Sequence, residues 1–322
     1  MERNKVVLGI DVGGTNTNFG LIKEDGEDIL FESIPTNSHE PAEKLFVNLF
    51  TKFKEVTKPL NGSYELVGIG IGAPNANYYK GTVENPPNLK WGFVDVVALV
   101  KRFIDVPVVL TNDANAAALG EMYFGVAKGM KDFIVITLGT GLGSGIVVNG
   151  NLVLGHDGFA GEIGHTVYDP NGRLCGCGRR GCLETYASAT GIRRTVMELI
   201  STTTYESKLR SISFNDLDAK MITDAALNGD KIALEAFDFT AKVLGLKLAD
   251  AVAHTSPEAI ILFGGLANAG DLLLAPTKKY MEENLFHAFK NKVKILKSNL
   301  NEGKSAVLGA AALIWHELKK SS

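Results

Sequence analysis

Short apolar runs separated by glycine turns alternate with stretches in helical period along this chain. Val6 to Ile10 is apolar, Asp11-Val12-Gly13-Gly14-Thr15-Asn16-Thr17-Asn18 follows, and Phe19 to Ile22 is apolar again. Runs of that length around a glycine turn predict strand, turn, strand. The same succession returns at Phe133 to Leu138, Gly139-Thr140-Gly141-Leu142-Gly143-Ser144-Gly145 and Ile146 to Val148. Leu66 to Ile71, Pro107 to Leu110, Ala259 to Phe263 and Val293 to Leu296 add four more short strands. Leu45, Phe46, Leu49, Phe53 and Val56 fall at helical spacing and predict a surface helix over 41–57. Further helices are expected from Asp113 to about Phe124, Tyr186 to about Ile200, Ala219 to Leu227, Lys231 to Ala253 and Ala306 to Leu318. Thr202 to Asp216 is polar and irregular and reads as a surface loop.

The second half of the chain opens as the first does, about 130 residues later, which predicts a duplicated α/β domain with two phosphate loops facing one cleft. Glycine turns let backbone N–H groups close on an anion, and Thr15, Asn16 and Asn18 add side-chain donors to the first of them. Asp11 at its mouth makes sense if a divalent cation accompanies the phosphate. Neither turn is a P-loop, since no Gly-Lys-Ser/Thr follows, and no helix opens directly after the first as a dinucleotide fingerprint requires. Asn112 and Asp113 stand where a strand gives way to a helix, a place that holds ligands in open α/β sheets and also the place of the helix N-cap. Paired glycines, Gly264 and Gly265, end another strand and let a flat ligand approach the backbone. Small residues at Gly309-Ala310-Ala311 let the last helix cross another closely and return onto the first domain.

The chain has 322 residues, enough for two ordinary domains, and 33 Lys plus Arg against 36 Asp plus Glu give a net charge of -3. That balance offers nothing to nucleic acid or an anionic membrane. No apolar run approaches the roughly 20 residues of a membrane helix, and the amino terminus lacks the pattern of a signal peptide. Cys175, Cys177 and Cys182, the whole complement of cysteine, fall together among Gly176, Gly178 and Gly181, with His165 ten residues before the first. Three thiolates and an imidazole make a closed tetrahedral zinc site of the structural type, which leaves no position for a reacting water. An odd number of cysteines suits a metal better than disulfides and points to a reducing cytoplasm. Glu162 and Glu184 bracket the cluster, so a pinned loop would present both carboxylates rigidly.

Asp11 to Thr17, Asn112 to Glu121, Leu138 to His165, Glu162-Ile163-Gly164-His165 and Cys175-Gly176-Cys177-Gly178-Arg179-Arg180-Gly181-Cys182-Leu183-Glu184 together resemble the ROK family of sugar kinases and repressors, most of all its glucokinase branch. The resemblance spans nearly the whole chain. It implies the two-lobed, duplicated actin-like ATPase (ribonuclease H-like) fold, with 1–112 and 305–322 as the small domain and 113–304 as the large one. It implies ATP-dependent phosphorylation of a hexose, glucose first, with Asp113 as the general base. Asn88, Asn112, Glu162, His165 and Glu184 would hold the sugar with Asp113. Asp11, Gly13, Gly14, Thr15, Asn16, Thr140 and Gly141 would meet the phosphates and Mg²⁺, and Gly264 and Gly265 the adenosine. His165 would bind Zn²⁺ through one ring nitrogen and the sugar through the other. A cytoplasmic homodimer without nucleic-acid or membrane partners is expected. After Gly72-Ala73-Pro74 the family often has glycine where this chain has Asn75-Ala76-Asn77, which leaves the hexose open among fructose, N-acetylglucosamine, N-acetylmannosamine and glucose. A sugar-responsive repressor is the competing class. It needs a DNA-binding domain ahead of the first glycine turn, and ten residues precede Asp11.

Overall fold

The first strand, β1 (Asn4–Val12), is apolar on both faces because each face is covered by a helix. Val6, Leu8, Ile10 and Val12 share a core with Leu45, Phe46, Leu49, Phe50 and Phe53 of α1 (Ala42–Thr57). On the other face Val7 meets Val307, Ala311, Ile314 and Trp315 of α8 (Glu302–Lys320). The computed structural model describes residues 4–60 and 62–320. They fall into two units, the first comprising Met1–Gly129, Leu152–Ala160 and Asn299–Ser322, the second Met130–Asn151 and Gly161–Ser298.

In the first unit β2 (Asn16–Ile22), β3 (Asp28–Pro35), β4 (Tyr64–Gly72) and β8 (Val108–Thr111) join β1 in the order β3-β2-β1-β4-β8. β1 is antiparallel to β2 and parallel to β4, which is parallel to β8. A three-stranded sheet of β5 (Ala76–Asn77), β6 (Thr82–Glu84) and β7 (Phe93–Asp95) leads into α2 (Val96–Lys101). The helix α3 (Asp113–Phe124) packs on α8 at an unusually close approach. A Cβ at Gly120 would lie 3.2 Å from Gly309 Cα, and one at Gly309 would strike the carbonyl of Ala116. The expected close crossing by small residues of the last helix is what the structure shows.

The second unit repeats the plan: β9 (Phe133–Leu138), β10 (Leu142–Val148), β11 (Asn151–Leu152), β12 (Ala259–Phe263) and β13 (Lys294–Lys297) take the order β11-β10-β9-β12-β13. In both sheets a hairpin is followed by two parallel additions on its first strand's open side. Around the second sheet lie α4 (Ala189–Thr202), α5 (Ala219–Leu227), α6 (Lys231–Thr255) and α7 (Leu274–Asn284). Among the described residues no helix is long and apolar enough to cross a membrane.

Two sequence expectations differ from these elements. The return strands start at Asn16 and Leu142, earlier than Phe19 and Ile146, because polar and glycine positions at the turn still pair in the ladder, as Val12 with Thr17 and Gly143 with Thr137. β3 and α7 carry no strong periodic signal and were not expected. The first unit takes in α3, which packs on α8, and Leu152–Ala160. Residues 1–3 and 321–322 of the expected small domain lie outside the described residues.

Candidate active site

In the first unit Asp11, Gly72 and Thr111 are in register across β1, β4 and β8, so three parallel strands end level with one another. Asp113 follows two residues beyond Thr111, at the strand ends where open α/β sheets bind ligands. Of the two candidates for the helix cap, Asn112 takes the role: its side chain accepts the Asn115 N–H at 2.7 Å. Asp113 is thereby spared, and its Oδ1 accepts the N–H of Ala114 at 2.9 Å. Asp113 is exposed to solvent. It is still surrounded by enough protein that desolvation raises its pKa above the usual carboxylate range, against the opposing hydrogen bonds of nearby backbone N–H groups. Asp11, half-buried, is pushed up to about 6 by desolvation and then by the charge of Asp113, with Asn18 pulling the other way. The two carboxylates therefore stand close enough to repel.

The glycine turn beside them is closed by Gly13 N–H donating to Asn16 O at 3.1 Å. Thr36, just past the end of β3, ties its carbonyls: the hydroxyl donates to Gly13 O at 2.7 Å and the N–H to Thr15 O at 2.8 Å. The side chains of Thr15 and Asn16 are left exposed. Asn88, also exposed, backs this turn, its Cβ 3.0 Å from where a Cβ on Gly14 would stand. Asn75 does not offer its amide to a ligand. It takes a left-handed backbone (φ 52°) and donates to the carbonyls of Glu84 and Asn85 at 3.2 and 3.1 Å, closing its own loop.

In the second unit Gly139 N–H donates to Gly141 O at 3.1 Å, and Gly139 O accepts from Ala189, so the turn is tied to the start of α4. Thr140 is exposed at its tip. A Cβ on Gly141 would lie 2.7 Å from Glu184 Oε2. The other oxygen of Glu184 is 2.9 Å from Cys175 Sγ and 3.7 Å from His165 Nδ1. Glu162 is exposed and precedes a short 3₁₀ turn, Ile163–His165, stapled to β10 by Ser144, whose hydroxyl donates to Gly161 O and accepts from Ile163 N–H. Gly264, with φ 99°, passes so near β9 that a Cβ would stand 2.9 Å from Leu138 O, while one on Gly265 would meet nothing. That open side is where a flat ring could lie.

His165, Cys175, Cys177 and Cys182 place one donor atom each within 4.8 Å of all the others. Cys177 and Cys182 sulfurs are 3.6 Å apart, and Cys175 Sγ is 3.7 Å from His165 Nδ1. A tetrahedral zinc with bonds of about 2.3 Å to sulfur needs edges of about 3.7 Å, so the donor set fits. Burial opposes ionisation of Cys177, but hydrogen bonds from the Arg179 backbone and guanidinium, then from Cys175 and Cys182, outweigh it and bring this thiol down to about 6. It is thus ready to act as a ligand near neutral pH.

The structure gathers Asp11, Gly13, Gly14, Thr15, Asn16, Asn88, Asn112 and Asp113 in the first unit. Thr140, Gly141, Glu162, His165, Glu184, Gly264, Gly265 and the cysteines lie in the second. Sequence reasoning passed over Thr36, Ser144 and Arg173, which tie these segments down. It also passed over Asn115, buried on α3 with Oδ1 unpartnered. Nothing local marks Thr36, Ser144 or Arg173, since their partners are remote in sequence, and nothing in an alanine-rich helix marks Asn115.

Residues 7–317 match the family model described as ROK. The chain is 38% identical over 284 residues to a glucokinase of Halalkalibacterium halodurans, covering 85% of this chain and 84% of that one. It is also 32% identical over 314 residues to a xylose repressor of Caldicellulosiruptor bescii, covering 97% and 78%. A solved ROK family glucokinase of Streptomyces griseus, in complex with glucose and AMPPNP, superposes with a TM-score of 0.79 at 32% identity, covering 96% of this chain and 98% of that one. With the doubled sheet, both glycine turns and the cysteine cluster lying inside the matched span, the chain belongs to the ROK family.

Proposed function

We infer that this protein is an ATP-dependent hexose kinase whose first substrate is glucose, converted to glucose 6-phosphate. The observation that carries the reading is Asp113: a solvent-reachable carboxylate at the strand ends, not consumed by capping, with its pKa raised toward the working range of a general base. Similarity to glucokinases, one of them solved with glucose and an ATP analogue, supports the choice of sugar and donor.

In this reading Asp113 accepts the proton of the sugar's 6-hydroxyl as that oxygen bonds to the γ-phosphorus, and the bond from phosphorus to the leaving ADP oxygen breaks. Asn88, Asn112, Glu162, His165 and Glu184 orient the sugar through its other hydroxyls. The N–H groups and side chains of Gly13, Gly14, Thr15, Asn16, Thr140 and Gly141 receive the phosphates, and Gly264 and Gly265 lie along the adenosine. Asp11 would hold Mg²⁺, which supplies the positive charge that offsets the phosphate oxygens and the repulsion between Asp11 and Asp113. Zn²⁺ on His165, Cys175, Cys177 and Cys182 would hold a loop and take no part in the chemistry. Three reduced cysteines suit a cytoplasmic setting.

Similarity to xylose repressors keeps a sugar-sensing reading in view. The two separate on one measurement: ATP consumption with Mg²⁺ and a panel of glucose, mannose, fructose, N-acetylglucosamine and N-acetylmannosamine. Glucose is expected to give the highest kcat/KM. Sugar binding without ATP consumption by any of the five would overturn the kinase reading.

A further inference from the structure

Zinc often folds the loop that binds it, yet here the cysteine loop has a second fastening. Arg173 lies two residues before Cys175, and its side chain is only 10% exposed. All five donors of its guanidinium are used. Nη1 donates to the carbonyls of Thr185 at 2.7 Å and Gly191 at 3.1 Å, and Nη2 to Thr195 Oγ1 at 2.9 Å and Glu198 Oε2 at 2.6 Å. Nε donates to Glu198 Oε1 at 2.9 Å. The guanidinium lies over the ring of Tyr186, 4.5 Å from its centroid, and the Tyr186 hydroxyl accepts the backbone N–H of Arg173 at 3.0 Å. Gly191, Thr195 and Glu198 recur at helical spacing, so one face of α4 receives four of the five donors, and Thr185 the other. Thr185 directly follows Glu184.

We propose that Arg173 is a positioning residue that staples the cysteine loop to α4 and to the turn carrying Glu184, so that the metal donors and this carboxylate stand in place before zinc arrives. The proposal rests on the sugar-binding reading of Glu184 only for its kinetic consequence. Glu198 is 60% exposed and contributes little by itself. The weight falls on the carbonyls of Thr185 and Gly191, which lose a charged donor if Arg173 is removed. Lysine has neither the planar fork nor the stacking surface to replace it.

The test is hydrogen exchange of peptide 172–186 in full-length protein stripped of metal by chelator, for wild type, Arg173→Met, Arg173→Lys and Glu198→Gln. Stripped wild type and Glu198→Gln should keep protection. Arg173→Met should exchange at least about tenfold faster in this peptide while the sheets are unchanged, and Arg173→Lys should fall between. If Arg173→Met yields no folded protein, Arg173→Lys carries the test with the same local signature. Reloaded with zinc, Arg173→Met should raise the glucose KM about tenfold with kcat within about threefold. Stripped wild type exchanging as fast as Arg173→Met would overturn the proposal, because the metal would then be folding the loop. So would loss of protection spread evenly over the second unit, whereas an unchanged KM in a variant whose loop has loosened would overturn the sugar-binding reading of Glu184 and uphold the staple. Should no sugar be phosphorylated by wild type, the kinase reading fails while the exchange measurement still judges the staple.

Discussion

The two glycine turns occupy the same place in two sheets of identical order, yet they are held rigid by opposite means. The first leans on close packing: β1 and β4 carry glycines against α8, α8 meets α3 at Gly309 and Gly120, and Thr36 and Asn18 add polar ties. The second leans on polar ties: Ala189 on Gly139, Ser144 on the Gly161 segment, and Arg173 and the thiols behind them. A duplicated framework has thus been specialised. In the proposed function the apolar support holds the carboxylate that would accept the proton, at a strand end where a small displacement would matter most. The polar loop holds groups suited to reading hydroxyls, which need donors and acceptors in number.

The contrast breaks most sharply at Asp113. Replacing it with Asn should lower kcat between about 10²- and 10⁴-fold, the usual worth of a general base, with the melting temperature and glucose affinity nearly kept. A coupled assay showing near-normal turnover would move the chemistry out of the first unit. A general base acts in its ionised form, and burial raises the pKa of Asp113, so on the proposed function kcat should fall with acid at a pH above the ordinary carboxylate range.

Next in size comes the metal. One zinc per chain is expected by elemental analysis, and Cys177→Ser should shed it, lowering metal affinity by more than the 10- to 100-fold typical of outer-shell changes. The melting temperature of the second unit should drop with it, and glucose KM should rise while the first unit's exchange pattern stays put. Purified protein without zinc would leave the loop fastened by hydrogen bonds alone, those of Arg173 among them. A smaller effect is expected on the apolar side: Gly309→Val drives a side chain into the Ala116 carbonyl and should cost about 1–3 kcal/mol in urea unfolding, by overpacking.

The two kinds of support also explain what the sequence disclosed. Asp11, both glycine turns, Asp113 and the cysteine cluster could be read because each is local, with its meaning carried by neighbours in the chain. The sheet duplication followed from the repeated strand, turn, strand pattern. β3 and α7 were missed for want of periodicity, and which helix the last one crosses was not legible because the pairing of Gly120 with Gly309 spans most of the chain. Arg173 was invisible for the same reason. In sequence it is a basic residue in a polar loop, and its partners lie 12 to 25 positions away. Asn112 was legible but ambiguous, and its cap settles which of the adjoining pair is spared.

The least of these effects runs in the direction opposite to damage. Asp11 has a folded-state pKa of about 6 against an ordinary 3.8, so between those values the folded protein binds more protons than the unfolded chain. Stability contributed by this group is therefore greatest in acid and declines as pH rises from about 4 to about 6, the reverse of a salt-bridged aspartate. At about 1.4 kcal/mol per unit, discounted for the water that reaches a half-buried side chain, the metal-free protein carries a penalty of about 2 kcal/mol at pH 8. Asp11→Asn should remove it. Urea unfolding at pH 8 should show the variant more stable than wild type by about that amount, and at pH 4 the two should converge. Turnover should fall all the same, because the carboxylate would no longer be there to hold Mg²⁺. A variant that gains no stability at pH 8 would mean Asp11 is comfortable as a bare anion, and the first turn would then need another reason for placing a charge behind a phosphate site.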